Sequence, residues 1–204
     1  MATFRAVLQM KESSIERLRR ITPQDIAVGE VVLWVGPEAV RGTLDLEVNG
    51  RHVFEISPEG FRKLRDLSYL GTEEPVSRVA LNSACLVDWV FRLLEAANAL
   101  VAGASRHTFD LAEHGFQFRF VRANQSTLLT VSGGDAPSRH YLGPWMVNRI
   151  SDEVVPIDMV VQEAAANGKL LLRETNSINP VLASHPEVKE IASQLSQLRA
   201  TAGS

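Results

Sequence analysis

Five histidines, one cysteine and 24 carboxylates are the side chains with which this chain of 204 residues could do acid–base, nucleophilic or metal chemistry. The histidines are His52, His107, His114, His140 and His185. None belongs to an H-E-x-x-H pair, and no two stand four residues apart, the spacing that aims two imidazoles from one helix face at a zinc ion. His107 and His114 flank a strand pattern, and His107 falls opposite Phe120 in the register set out below, so it reads as an edge or core imidazole. His140 with Asp135 makes a carboxylate–histidine pair in a Gly/Pro/Ser loop, and a hydrated loop pair is the simpler reading of it. Cys85 lies between Ala84 and Leu86 in an apolar run, where a thiol has a raised pKa and is inert, so it reads as core. No G-x-S-x-G elbow occurs. Neither phosphate-loop glycine pattern occurs, and Ser132-Gly133-Gly134 lacks the helix start that would aim backbone N–H groups at a phosphate. One cysteine excludes a disulfide framework. No catalytic residue, cofactor or metal is expected.

With those chemistries missing, surface charge and aromatic anchors come forward. Trp145 follows Gly143-Pro144, beside Asp152, Glu153 and Asp158. It reads either as a plug between sheet and helices or as a binding anchor of the kind that tryptophan supplies. Asp45, Glu47 and Glu55 face outward from a hairpin, as a solvated face or an acidic docking patch. Ile150 to Glu163 carries four acids and no base, and Met1 to Arg20 carries five bases against two acids. Such runs are solvated faces or the two ends of a protein-docking field. The net charge is −3, without the basic face of a nucleic-acid binder. The bases are 17 Arg and 4 Lys, which reflects gene composition or, alternatively, bidentate recognition of carboxylate or phosphate.

The elements that must hold these residues follow from hydrophobic spacing. Thr3 to Met10 alternates, with Phe4, Ala6, Leu8 and Met10 on one face, and predicts a strand. Ser13 with Glu16 predicts a capping box and a helix over Ser14–Ile21. Val31 to Val35, ended by Gly36-Pro37, predicts another strand. In LDLEVNGRHVFEI, Asn49-Gly50 between alternating runs predicts a hairpin. A two-residue loop would place Phe54 opposite Asp45, whereas a three-residue loop puts Leu44, Leu46, His52, Phe54 and Ile56 on one face. The three-residue loop, with Gly50 left-handed at a bulge, is therefore expected. Ser57-Pro58-Glu59 predicts a helix start, with Phe61, Leu64 and Leu67 as its stripe and Gly71 as its stop.

Val76 to Ala102 carries a wide apolar stripe and predicts a long central helix of about 40 Å. Gly103 is its stop. Phe109 and Leu111 pair with Phe118 and Phe116, and Phe118 and Phe120 with Val131 and Leu129, which predicts a three-stranded meander with Gln117, Arg119 and Thr130 on its wet side. Ser132 to Arg139 reads as a loop. Ile157 to about Thr175 reads as one helix weakened at Gly168, in preference to a helix followed by a strand. Asn179-Pro180 breaks it. Ser184-His185-Pro186-Glu187 starts a last helix with Val188, Ile191, Leu195 and Leu198 inward. The predicted class is α+β: antiparallel hairpins and a three-stranded meander packed on a long central helix, with C-terminal helices. One domain over residues 1–204 is expected, with a helical subregion at 156–200. No apolar run is long enough to span a membrane and no secretory signal is visible, so a cytoplasmic protein is expected.

The segments VDWVFRLLEAANALVAG and FDLAEHGFQFRFVRANQSTLLTV and the tail NPVLASHPEVKEIASQLSQLRA together resemble the small α+β immunity proteins of bacterial polymorphic-toxin systems. The likeness is one of architecture over about half the chain, with no diagnostic motif, so no functional residue is carried over. It implies a cytoplasmic protein that occludes the active site of a toxin through an electrostatically complementary face. The expected function is thus non-enzymatic protein binding, with Trp145, Asp152, Glu153, Asp158, Asp45 and Glu47 as partner-binding residues and neither nucleic acid nor membrane as partner. The alternatives are a hydrolase-type enzyme using carboxylates with His140 or His114, and a structural subunit or homo-oligomer joined through an edge of the meander.

Overall fold

The computed structural model describes residues 2–34, 39–59, 81–111, 115–133 and 147–202. In chain order these form β1 (Phe4–Met10), α1 (Glu12–Arg20), α2 (Pro23–Ala27), β2 (Arg41–Val48), β3 (Arg51–His52), β4 (Leu81–Cys85), α3 (Leu86–Val101), β5 (Arg106–Leu111), β6 (Phe116–Ala123), β7 (Ser126–Gly133), β8 (Ile150–Pro156), α4 (Ile157–Ile178), a 3₁₀ turn (Pro180–Ser184) and α5 (Pro186–Ala202). The fold is α+β, with two antiparallel sheets, a central helix and C-terminal helices. Sheet 1 joins β1, β2 and β3, with β4 on β2 as well, and sheet 2 runs β5-β6-β7-β8. No helix among the described residues is long and apolar enough to cross a membrane.

The alternation in β1 lies as the sequence predicts. Phe4, Ala6 and Met10 are buried, Leu8 is half-buried, and Arg5, Val7 and Gln9 are exposed. The meander register holds residue for residue, with Phe109 opposite Phe118, Leu111 opposite Phe116, Phe118 opposite Val131, Phe120 opposite Leu129 and His107 opposite Phe120. The inner faces of both sheets meet in an aromatic cluster. The Phe4 ring lies 6.4 Å from Phe120, Phe54 lies 5.2 Å from Phe116, and Trp89 of α3 lies 5.4 Å from Phe118. The Phe4–Phe120 and Trp89–Phe118 contacts are edge-to-face, and such pairs add about 0.5–1.5 kcal/mol each beyond area burial. The helices α4 and α5 close the core on α3. Asn98 of α3 donates to Gln194 O at 3.1 Å, and a Cβ on Gly168 would stand 3.4 Å from the Leu94 side chain. Gly168 is thus a buried crossing point within one continuous helix.

Several expectations fail, each for a physical reason. α1 starts one residue after Lys11, which caps it without a side-chain hydrogen bond. Ser13, the expected cap, is the second residue of the helix and so does not cap its start, and the next hydroxyl, Ser14, accepts from the backbone N–H of Arg41 and from Arg17. Val31 to Trp34 is not a strand. It is strapped by side chains instead: His185 donates to Val31 O at 3.1 Å, Glu187 accepts from Leu33 N at 2.7 Å, and the Cys85 thiol donates to Trp34 O at 2.9 Å. The long helix begins at Leu86, because Leu81 to Cys85 pairs with β2 as a strand. α3 is accordingly about 24 Å long. Its predicted stop holds, with Gly103 at φ 92°. Cys85 is buried, at a strand–helix junction and not inside a helix. The hairpin turn has two residues, not three, with Glu47 opposite His52 and Val48 opposite Arg51. The meander gains a fourth strand, β8, from the acidic run. α4 extends three residues past Thr175. Ser132 and Gly133 belong to β7, while the rest of the loop read at 132–139 and most of the helix read at 57–71 lie outside the described residues.

The free edge of β1 is covered from far along the chain. Ala6 donates its N–H to Glu163 of α4 at 2.8 Å, and its carbonyl accepts from Asn167 at 3.3 Å. Asn167 also donates to Glu163 at 2.8 Å, one helical turn away. An edge that would otherwise present unpaired backbone groups is thereby capped at this point.

Candidate protein-binding surface

The outer face of sheet 1 gathers polar side chains by strand alternation. Across the β1–β2 ladder, Arg5 faces Glu47, Val7 faces Asp45 and Gln9 faces Thr43. Val7 is 46% exposed among them. The two-residue turn at Asn49-Gly50 then sets His52 opposite Glu47 and diagonal to Asp45. The His52 Nδ1–H donates to Asp45 Oδ1 at 2.8 Å. Asn148 braces the far side, donating to His52 O at 2.9 Å and to Glu55 Oε2 at 3.0 Å.

The hydrogen bond to Asp45 raises the His52 pKa above its usual value, against a smaller opposing effect of burial, and the charges of Asp45, Glu47 and Glu55 add to the rise. The Asp45 carboxylate thus stabilises the imidazolium of His52 relative to a free imidazole. Asp45, Glu47 and Glu55 surround His52, with Arg5 across the ladder from Glu47 and Arg41 farther along the same face of β2. A part-exposed acidic cluster around an exposed valine suits contact with a basic partner surface.

The other expected residues divide over the molecule. Asp152 lies on the outer face of sheet 2 at φ 52°, accepting from Thr130 at 3.0 Å and from Arg119 at 3.3 Å. Val154, 54% exposed, shares that face with half-buried Val121 and Leu128 in one cross-strand row. Glu153 instead binds inward across the sheets. It accepts from Asn49 Nδ2 at 3.0 Å and pairs with Arg51, and these two bonds, Asn49 first, pull its carboxyl below the usual range. Asp158 sits exposed in the first turn of α4, with its carboxylate on the backbone N–H of Met159. Trp145, His114, Asp135 and His140 lie outside the described residues.

His52 and Val7 are the site residues that sequence reasoning passes over. Reading Asn49-Gly50 as a two-residue turn would have found His52, because that register alone places it beside Asp45. His107 is held as the sequence suggests, its ring 6.3 Å from Phe109 and its pKa lowered by burial. Among the described residues no three His, Cys, Asp or Glu side chains converge as metal ligands. Comparison with protein families, curated proteins and solved structures finds no match to this chain.

Proposed function

We propose that this protein is a non-enzymatic binding protein that engages a basic partner through the outer face of sheet 1, most concretely an inhibitor of the immunity type that covers the active site of a bacterial toxin. The observation that carries the reading is the Asp45–His52 pair, ringed by Glu47 and Glu55 beside exposed Val7. The ladder and the Asn148 brace hold these groups in place before any partner arrives, which limits the ordering cost of association. A stable complex of this kind buries about 1,600 Å² in total, so the cluster would form the charged centre of a larger footprint. The architectural likeness to immunity proteins points the same way.

The test captures partners among the products of genes adjoining its own, using the full chain as bait, and then reverses the charge. Asp45→Arg with Glu47→Arg should weaken a captured complex at least about tenfold, mostly through slower association at low salt. A complex indifferent to both substitutions, or no partner from any neighbouring gene, counts against the reading.

The same pair favours one second reading, an enzyme in which His52, oriented by Asp45, donates a proton to a leaving group. Turnover of any substrate that is lost on His52→Ala and kept on Glu47→Gln would select it over binding.

A further inference from the structure

A second site, independent of the surface above, lies at the corner where the C-terminal helices fold back. Asn179, in extended backbone, and Pro180 end α4, and the 3₁₀ turn returns the chain into α5. Asn179 Nδ2 ties this corner to the end of α1, donating to Leu18 O and Ile21 O at 2.8 Å each. The corner is therefore pre-formed. The side chains at this corner are short, with exposed Ala183 on the turn and half-buried Ala192 on α5. Between them lies an open groove of about 490 Å³ lined by Leu172, Val188, Ala183 and Ala192, with Asn176 and Ser177 at its exposed side. Arg173 and Lys189 also line it, and no carboxylate does. Among the described residues neither cation makes an ion pair.

We infer that this groove binds a linear aliphatic carboxylate, with its chain on Leu172, Val188 and Ala192 and its head group between Arg173 and Lys189. The apolar floor recognises the chain, and the two uncommitted cations recognise the charge. The volume falls within the range of about 300–1,000 Å³ typical of small-ligand sites. A partner helix would need a longer track than one helical corner supplies.

The experiment titrates the whole protein with dodecanoate below its micellar concentration, followed by nuclear magnetic resonance shifts, with dodecan-1-ol and dodecyltrimethylammonium as controls of equal chain length. Dodecanoate should saturate at one equivalent and bind about tenfold tighter than the alcohol, the margin expected of charge-assisted contacts at a groove rim. Arg173→Ala with Lys189→Ala should erase that margin. Ala192→Trp should abolish binding by filling the groove, and Ala183→Trp fills it from the opposite wall should the first variant fail to fold. Equal affinity for alcohol and carboxylate, preference for the cation, or binding that survives the folded tryptophan variant overturns the assignment.

Discussion

Two hairpins in this molecule turn on two residues led by an asparagine in left-handed backbone, Asn49 at φ 51° and Asn124 at φ 58°. The β6–β7 hairpin then runs for eight paired positions, from Ala123 and Ser126 to Phe116 and Gly133. The β2–β3 hairpin stops after two. The turns do not explain the difference, because both have the geometry that suits the twist of paired strands. Apolar parity does. Beyond the second turn Phe118 meets Val131 and Phe120 meets Leu129, so every second pair buries both members on the same face. Continuing the first hairpin would set Phe54 across from Asp45. The chain leaves the ladder at His52 instead, and Val53, Phe54 and Ile56 all enter the core. A turn starts a hairpin, and the side chains beyond it decide its length.

The contrast can be broken most forcefully in the aromatic core. Phe118→Ala on the long ladder should cost about 3–5 kcal/mol in urea unfolding. Phe54→Ala should cost a similar amount although it belongs to no ladder, because its ring packs 5.2 Å from Phe116 and 6.4 Å from Phe118. A loss under about 1 kcal/mol for Phe54 would remove the reason given for the broken ladder. A smaller effect separates the two asparagines. Glycine keeps the left-handed backbone at either turn. Asn49→Gly also deletes hydrogen bonds with Thr3 N, Glu153 and Val154 O and should cost about 1–2 kcal/mol. Asn124→Gly should stay within about 0.5 kcal/mol.

The smallest effect is one of pH. His52 has its pKa raised in the folded chain, chiefly by the hydrogen bond to Asp45. The stability it contributes is fully present below the unfolded value near 6.5 and is lost as pH rises through the higher folded value. Imidazole shifts followed from pH 5 to 9 should show a midpoint above that of His52 in the Asp45→Asn variant. Coincident midpoints would show that the short ladder does not hold the pair together.

The same parity argument explains what was legible in the sequence. Phe109, Phe116, Phe118 and Phe120 alternate cleanly with polar residues, so sheet 2 could be paired rung by rung without the structure. Leu81 to Leu86 could not be divided into β4 and α3, because the stripe Val79, Ser83, Leu86, Val90 fits a helix throughout. β8 was hidden by Ser151, Asp152 and Glu153, poor strand formers that pairing with β7 overrides. Of the candidate surface, Asp45, Glu47 and Glu55 were visible as an outward acidic set. The position of His52 was not, because the expected three-residue loop turned it to the opposite face. Glu153 looked like free surface charge, and its bonds to Asn49 and Arg51 depend on two sheets meeting far apart in sequence.

The clasp on β1 has a consequence for how the chain is made. The carboxylate that seals the Ala6 amide is added 157 residues later. At about 5–20 residues per second, the edge of β1 stays open for about 8 to 30 seconds before Glu163 is made. During that interval β1 can recruit a strand from a neighbouring nascent chain, and only the arrival of α4 closes the opportunity. Losses to aggregation in the cell should therefore respond to elongation rate, and slow codons between β1 and α4 would lengthen the exposure.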